Sequence, residues 1–132
     1  MERRAFLISG LGLTGLALFG SNTALAAPPL QYSPENWAAA LASGKPVLVH
    51  VHAGWCPTCR AQAPILDKIT SQAAFKSLSF IRVDFDADKD FRKAYNVASQ
   101  STVLVFKGGK EVARSIGVTS EDALLMVAKT AL

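Results

Sequence analysis

The chain has 132 residues, with 14 Lys and Arg against 10 Asp and Glu, two histidines and two cysteines. That length allows one domain, and a hydrophobic content of 50% excludes disorder as the main state. Two cysteines exclude a scaffold of several disulfides. The lysines are scattered and the net charge is only +4, so nothing calls for a nucleic-acid or acidic-lipid partner.

The first element in chain order is a leader. Met1-Glu2-Arg3-Arg4 precedes a stretch without charge from Ala5 to Pro34. A basic start, an apolar run and then small residues form the pattern of an export signal, with Ala24-Leu25-Ala26 as its cleavage site. Arg3-Arg4-Ala5-Phe6-Leu7 resembles the twin-arginine signal, from which Glu2 and Ile8 depart. Gly10, Gly12, Gly15 and Gly20 dilute the apolar run, which suits that route. The compact apolar part, Ala5 to Phe19, is short against the roughly 20 residues that span a bilayer, so cleavage is expected rather than a retained anchor. Residues 1–26 are therefore read as an export signal and 27–132 as one domain in the periplasm or another extracytoplasmic space.

Within that domain, Ser33-Pro34 predicts a helix start, with Ser as cap and Pro in the first turn; Trp37, Ala38 and Leu41 form its apolar stripe and Gly44 ends it. The run from Val47 to Ala53 is β-branched and apolar enough for a central strand. A helix is predicted from about Pro57 to Ala74, with Ala63, Leu66 and Ile69 facing inward and Pro64 kinking it. Leu78–Phe85 predicts a second strand, Asp88–Tyr95 a short polar helix and Thr102–Phe106 a third strand. Gly108-Gly109 predicts a hairpin turn into Glu111–Ile116. Ser120 caps a last helix through Lys129, with Leu124, Leu125 and Ala128 inward. The expected order is α-β-α-β-α-β-β-α, an α/β fold without repeats, and a monomer is expected.

Cys56-Pro57-Thr58-Cys59 lies at a strand-to-helix junction. Two thiols in C-x-x-C spacing on a first helical turn can close a disulfide with little backbone movement. The unpaired N–H groups and dipole of the helix start favour an anion at the first thiol and lower its pKa. The thiolate is the attacking species in disulfide exchange. Cys56 is thus read as a solvent-accessible nucleophile and Cys59 as the buried resolving thiol. A static disulfide or half of a zinc site are the other readings. Zinc needs further ligands with their own spacing.

Trp55-Cys56-Pro57-Thr58-Cys59-Arg60, the downstream Ala63-Pro64 and the element order resemble thioredoxin across residues 31–132. Val47-Leu48-Val49 and Val105-Phe106-Lys107-Gly108-Gly109 match that family's central strand and its strand-turn segment. The resemblance implies a thioredoxin fold, a central mixed β-sheet flanked by helices, without a cofactor or a resident metal. It implies contacts to substrate from Trp55, Pro57, Thr58, Gln100 and Ser101. The tract from Trp55 to Ala61 is also similar to the periplasmic thiol reductases of cytochrome c maturation. That similarity implies reduction rather than oxidation of disulfide-containing proteins, with electrons from a membrane-bound thiol donor.

Two positions depart from the thioredoxin pattern. The family's buried acidic residue, six before the first cysteine, falls at His50, and an aromatic four before it falls at His52. Strand alternation puts both imidazoles on one face. His50 is a candidate general base for Cys59, or as a cation a stabiliser of the Cys56 thiolate; packing alone is the bland reading for both histidines. The family's cis-proline falls at Ser101. A cis bond before Ser costs about 3–4 kcal/mol, so trans is expected. The serine adds an N–H and a hydroxyl beside Cys56, and removes a block that helps keep metals off the dithiol. The alternative function is a copper or zinc module built from His50, His52, Cys56 and Cys59.

Overall fold

The computed structural model describes residues 28–132, so the expected leader and its cleavage site lie outside the described residues. The strands are β1 Leu30–Gln31, β2 Val47–His52, β3 Ser79–Asp84, β4 Thr102–Lys107 and β5 Lys110–Ile116. The helices are α1 Pro34–Ala42, α2 Pro57–Thr70, α3 Lys89–Ala94 and α4 Glu121–Lys129. The strands form one sheet in the order β1-β3-β2-β4-β5. β1, β3 and β2 run parallel; β4 is antiparallel to β2, and β5 to β4. This is the mixed sheet with flanking helices that the resemblance implies.

Local chemistry sets the element ends. The Ser33 hydroxyl accepts the Asn36 N–H at 3.0 Å and Pro34 opens α1, a cap that contributes about 1 kcal/mol. The Ser120 hydroxyl likewise accepts the Ala123 N–H at the start of α4. Gly108 and Gly109 both have positive φ, 61° and 76°, the conformation that a two-residue hairpin turn requires.

Alternation along β2 divides the interior. Val47, Val49 and Val51 join Trp37 of α1, Phe91 of α3, Ile81, Leu104 and Phe106 in one buried cluster. Leu48 packs on the other face with Leu66 and Ile69 of α2, Val103, Val105, and Leu124 and Ala128 of α4. His50 and His52 share the Leu48 face, which sets them on the side of α2.

Some elements differ from expectation. β1 was not anticipated: its two residues count as a strand only because they pair with Ile81 and Arg82. α2 runs through Pro64 but stops at Thr70, because Gln72 is extended (ψ 146°) and a separate 3-10 turn occupies Ala73–Phe75. In α1 the buried partner of Trp37 is Ala40, not Ala38, which lies on the outer side. Among the described residues, no helix is long and apolar enough to cross a membrane.

Candidate active site

β2 leads directly into the cysteines. Cys56 is the N-cap residue of α2, and its sulfur accepts the Cys59 N–H at 3.2 Å. Pro57 occupies the first turn, where its missing N–H costs nothing. A cysteine takes the place of the usual Ser or Asp cap, so the capping acceptor is itself the ionisable group. Burial raises the Cys56 thiol pKa. Hydrogen bonds from the Cys59 and Ser101 side chains and from the backbone at Cys59 and Thr58 outweigh it, and the net shift is down. The Cys59 thiol is pushed up, by burial first and then by its hydrogen bond with Cys56. The first proton of the pair therefore leaves Cys56.

Cys59 is fully buried, as expected, but Cys56 is 3% exposed rather than open to solvent. The expectation of an accessible sulfur is corrected. The helix start directs the Cys56 side chain onto the Cys59 N–H and the Ser101 hydroxyl, so it lies under the surface. Both cysteines are free thiols, packed with Ala53 and flanked by Phe85.

Ser101 completes the site. Its hydroxyl lies 3.2 Å from the Cys56 sulfur and 3.1 Å from the Cys59 sulfur. Its backbone is in the left-handed region, φ 63°, and no peptide bond among the described residues is cis. A non-glycine residue there is strained and needs its surroundings to hold it. They do: the Ser101 N–H donates to the Val51 carbonyl at 2.9 Å, and its own carbonyl accepts the Gly117 N–H at 3.0 Å.

That carbonyl accepts a second bond, at 3.1 Å, from the Gln62 side-chain amide. Gln62 is fully buried, and its Nε2 also donates to the Val118 carbonyl at 2.8 Å. Both amide protons are thereby used, which fixes Oε1 as the atom facing His50 Nε2 at 3.0 Å. His50 must then carry its proton on Nε2 and donate it, leaving Nδ1 as a buried acceptor without a partner. Sequence reasoning passed over Gln62. The available signal was its place three residues after Cys59, on the same side of α2.

His50 is fully buried and its pKa is pushed down to about 4, by burial first; the Gln62 bond opposes the shift and the charges of His52 and Arg82 add to it. Of the alternatives for His50, the cation that would stabilise the Cys56 thiolate is therefore disfavoured near neutral pH. His50 makes its hydrogen bond to Gln62 and none to either cysteine. His52 is half-buried and shifted down by burial and then by Arg82. It lines a polar cleft of about 260 Å³ with Gln31, Gly54, Arg82 and Asp84. The metal alternative is corrected on the same geometry. Among the described residues no group of three or more His, Cys, Asp or Glu side chains is placed to hold a metal ion.

The remaining expected contact residues flank Cys56 and Ser101 in sequence. Trp55 is 59% exposed, and its indole N–H donates to Asp86 at 2.7 Å. Pro57 is exposed, and Thr58 and Gln100 are half-buried.

A sequence profile of the family described as Thioredoxin matches residues 28–130. The chain belongs to the thioredoxin family. Thioredoxin from Chlamydia trachomatis is 36% identical over 93 residues, 70% of this chain and 88% of that protein. The crystal structure of Trxlp from Edwardsiella tarda superposes with a TM-score of 0.71 at 41% identity, covering 74% of this chain and 95% of that one. A thioredoxin mutant from Halobacterium salinarum also has a TM-score of 0.71, at 24% identity over 83% of this chain and 95% of its own, a likeness of fold. With its close cysteine pair, the chain is a thioredoxin-family thiol–disulfide oxidoreductase.

Proposed function

We propose that this thioredoxin-family protein is exported and works as a monomer in the periplasm or an equivalent space, where it reduces disulfides in other proteins. Cys56 is the nucleophile and Cys59 the resolving thiol. The observation that carries the reading is the Cys56 sulfur capping α2 in front of a fully buried Cys59 with a raised pKa. The Cys56 thiolate attacks one substrate sulfur, forming a mixed disulfide and releasing the other substrate sulfur as a thiolate. Cys59, once deprotonated, attacks the Cys56 sulfur, which frees the second substrate thiol and closes the Cys56–Cys59 disulfide. Two electrons pass to the substrate. A membrane-bound thiol donor then restores the dithiol.

Local electrostatics support the reducing direction. The groups that lower the Cys56 pKa are neutral hydrogen-bond donors, and the nearby imidazole of His50 is uncharged at neutral pH. A dithiol whose reduced form lacks a cationic stabiliser gives up electrons more readily. Trp55, Pro57, Thr58 and Gln100, with Ser101 against both sulfurs, serve as the substrate contacts in this scheme. His50 holds Gln62 rather than a cysteine, so its role in this scheme is to position.

Equilibration with glutathione buffers tests the direction. A midpoint nearer about −270 mV than about −120 mV is expected, and one at the oxidising end would reverse the assignment. Fractionation of cells carrying the native chain or Arg3→Lys/Arg4→Lys tests the route; equal export of both would remove the twin-arginine reading.

A further inference from the structure

The two-thiol scheme gives Ser101 no part in the second step, although its hydroxyl touches both sulfurs. Its oxygen lies within hydrogen-bond distance of both sulfurs and makes no other hydrogen bond. A hydroxyl has one proton to donate and lone pairs to accept with. Beside the monoanionic dithiol, Ser101 Oγ–H is placed to donate to the Cys56 thiolate, and Oγ is placed to accept the Cys59 S–H whenever that proton is not donated to Cys56 directly. The residue is 4% exposed, so solvent competes little for either bond.

The support around Ser101 is heavier than a drifted loop position needs. Its N–H, its carbonyl and the Gln62 amide tie it to β2, to the turn after β5 and to α2. His50 holds Gln62 in turn from β2. Together they keep a strained backbone in place and set one hydroxyl between two sulfurs.

We propose that the Ser101 hydroxyl is a catalytic proton relay between the two thiols, with Gln62 as its positioning residue. The proposal rests on the dithiol exchange described above and concerns its second step. While Cys56 is bonded to substrate, its sulfur is no longer an anion and the Ser101 proton is free to move. The Cys59 proton passes to Ser101 Oγ as the Ser101 proton passes to the departing substrate sulfur. The electron pair of Cys59 forms the Cys56–Cys59 bond and the Cys56–substrate bond breaks. Ser101 ends as it began, and the substrate leaves as a thiol rather than a thiolate. One relay thereby deprotonates a buried thiol and protonates its leaving group, and no charged base need be buried at His50.

The test is rapid-quench reaction of the reduced full chain with oxidised glutathione, whose alkyl thiol has an ordinary pKa and leaves protonated near neutral pH. Attack by Cys56 releases one glutathione, and resolution by Cys59 releases a second. Ser101→Gly removes the hydroxyl and tolerates the positive φ; Ser101→Ala removes it with a side chain retained. In both, the second phase should slow about tenfold or more, at the low end of proton-transfer catalysis, while the first phase keeps its full amplitude. The native second phase should show a solvent deuterium effect with a curved dependence on deuterium content, as two protons in flight require, and the dependence should become linear in Ser101→Gly. Gln62→Leu should slow the second phase by a smaller factor. Equal second-phase rates and equal isotope dependence in native protein and Ser101→Gly would overturn the relay and leave the exchange reading standing. Loss of the first phase from the native protein would overturn both.

Discussion

On one face of the sheet Trp37 meets Phe91, Tyr95 and Phe106 edge to face, with centroids 5.2, 5.5 and 5.0 Å apart. Its indole N–H is satisfied by the Tyr95 hydroxyl at 2.9 Å. On the other face the same strand carries His50, and with Gln62 and Ser101 it sets a chain of polar groups among Leu48, Leu66 and Val103. There His50 Nδ1 is left without a partner. The aromatic face gains about 0.5–1.5 kcal/mol per ring pair beyond area burial. The polar face gives up about 1–3 kcal/mol for its orphaned nitrogen. One side of β2 is thus built for stability and the other for placing sulfur and oxygen atoms.

Mutations should separate the two faces. Cys56→Ser removes the attacking thiolate and should lower disulfide exchange on the order of 10³-fold or more, about 4 kcal/mol in barrier, with the urea midpoint little changed. A variant that keeps most of the native rate would assign the activity to a binding surface instead of the dithiol. Phe91→Ala should do the reverse. It empties the aromatic cluster and should destabilise the fold by roughly 3–4 kcal/mol, seen as a lower denaturation midpoint. The rate per folded molecule should stay native; a rate that falls alongside stability would show the two faces coupled.

pH tests the polar face. The folded pKa of His50, about 4, lies below the 6.5 of an unperturbed histidine. The unfolded chain therefore binds the proton first as acid is added. The stability held above about pH 6.5 is lost progressively as pH falls through about 4, by about 3 kcal/mol. Urea titrations at pH 7 and pH 4 should show that loss in the native chain and a smaller one in His50→Leu. The smallest effect is expected from Gln62→Leu, about 2 kcal/mol of stability, because it leaves the buried His50 N–H and two carbonyls short of a partner. If calorimetry finds it neutral, the polar chain is not braced through Gln62.

Much of the aromatic face was legible from sequence, because its signals are local. Ser33-Pro34 writes a helix start, the Val run of β2 writes a buried strand, and Gly108-Gly109 writes a turn. The cysteine motif was legible for the same reason. β1 was not, since two residues become a strand only through pairing with β3, which is a property of distant chain. Gln62 was hidden more deeply. A glutamine on a helix reads as solvent-facing, and its burial follows from where α2 lies against Ser101 and Val118. Ser101 was noticed only as a departure from the family's proline. That one hydroxyl reaches both sulfurs depends on a left-handed backbone that no serine in a sequence announces.

The two-residue β1 has a bearing on the outer edge of the sheet. It runs parallel to β3 and β2, so the chain comes into the sheet from the end where those strands begin. Cys56 sits beyond the opposite end, where β2 finishes. Very short edge strands offer another chain little to pair with, so two residues suffice to blunt this edge of the sheet.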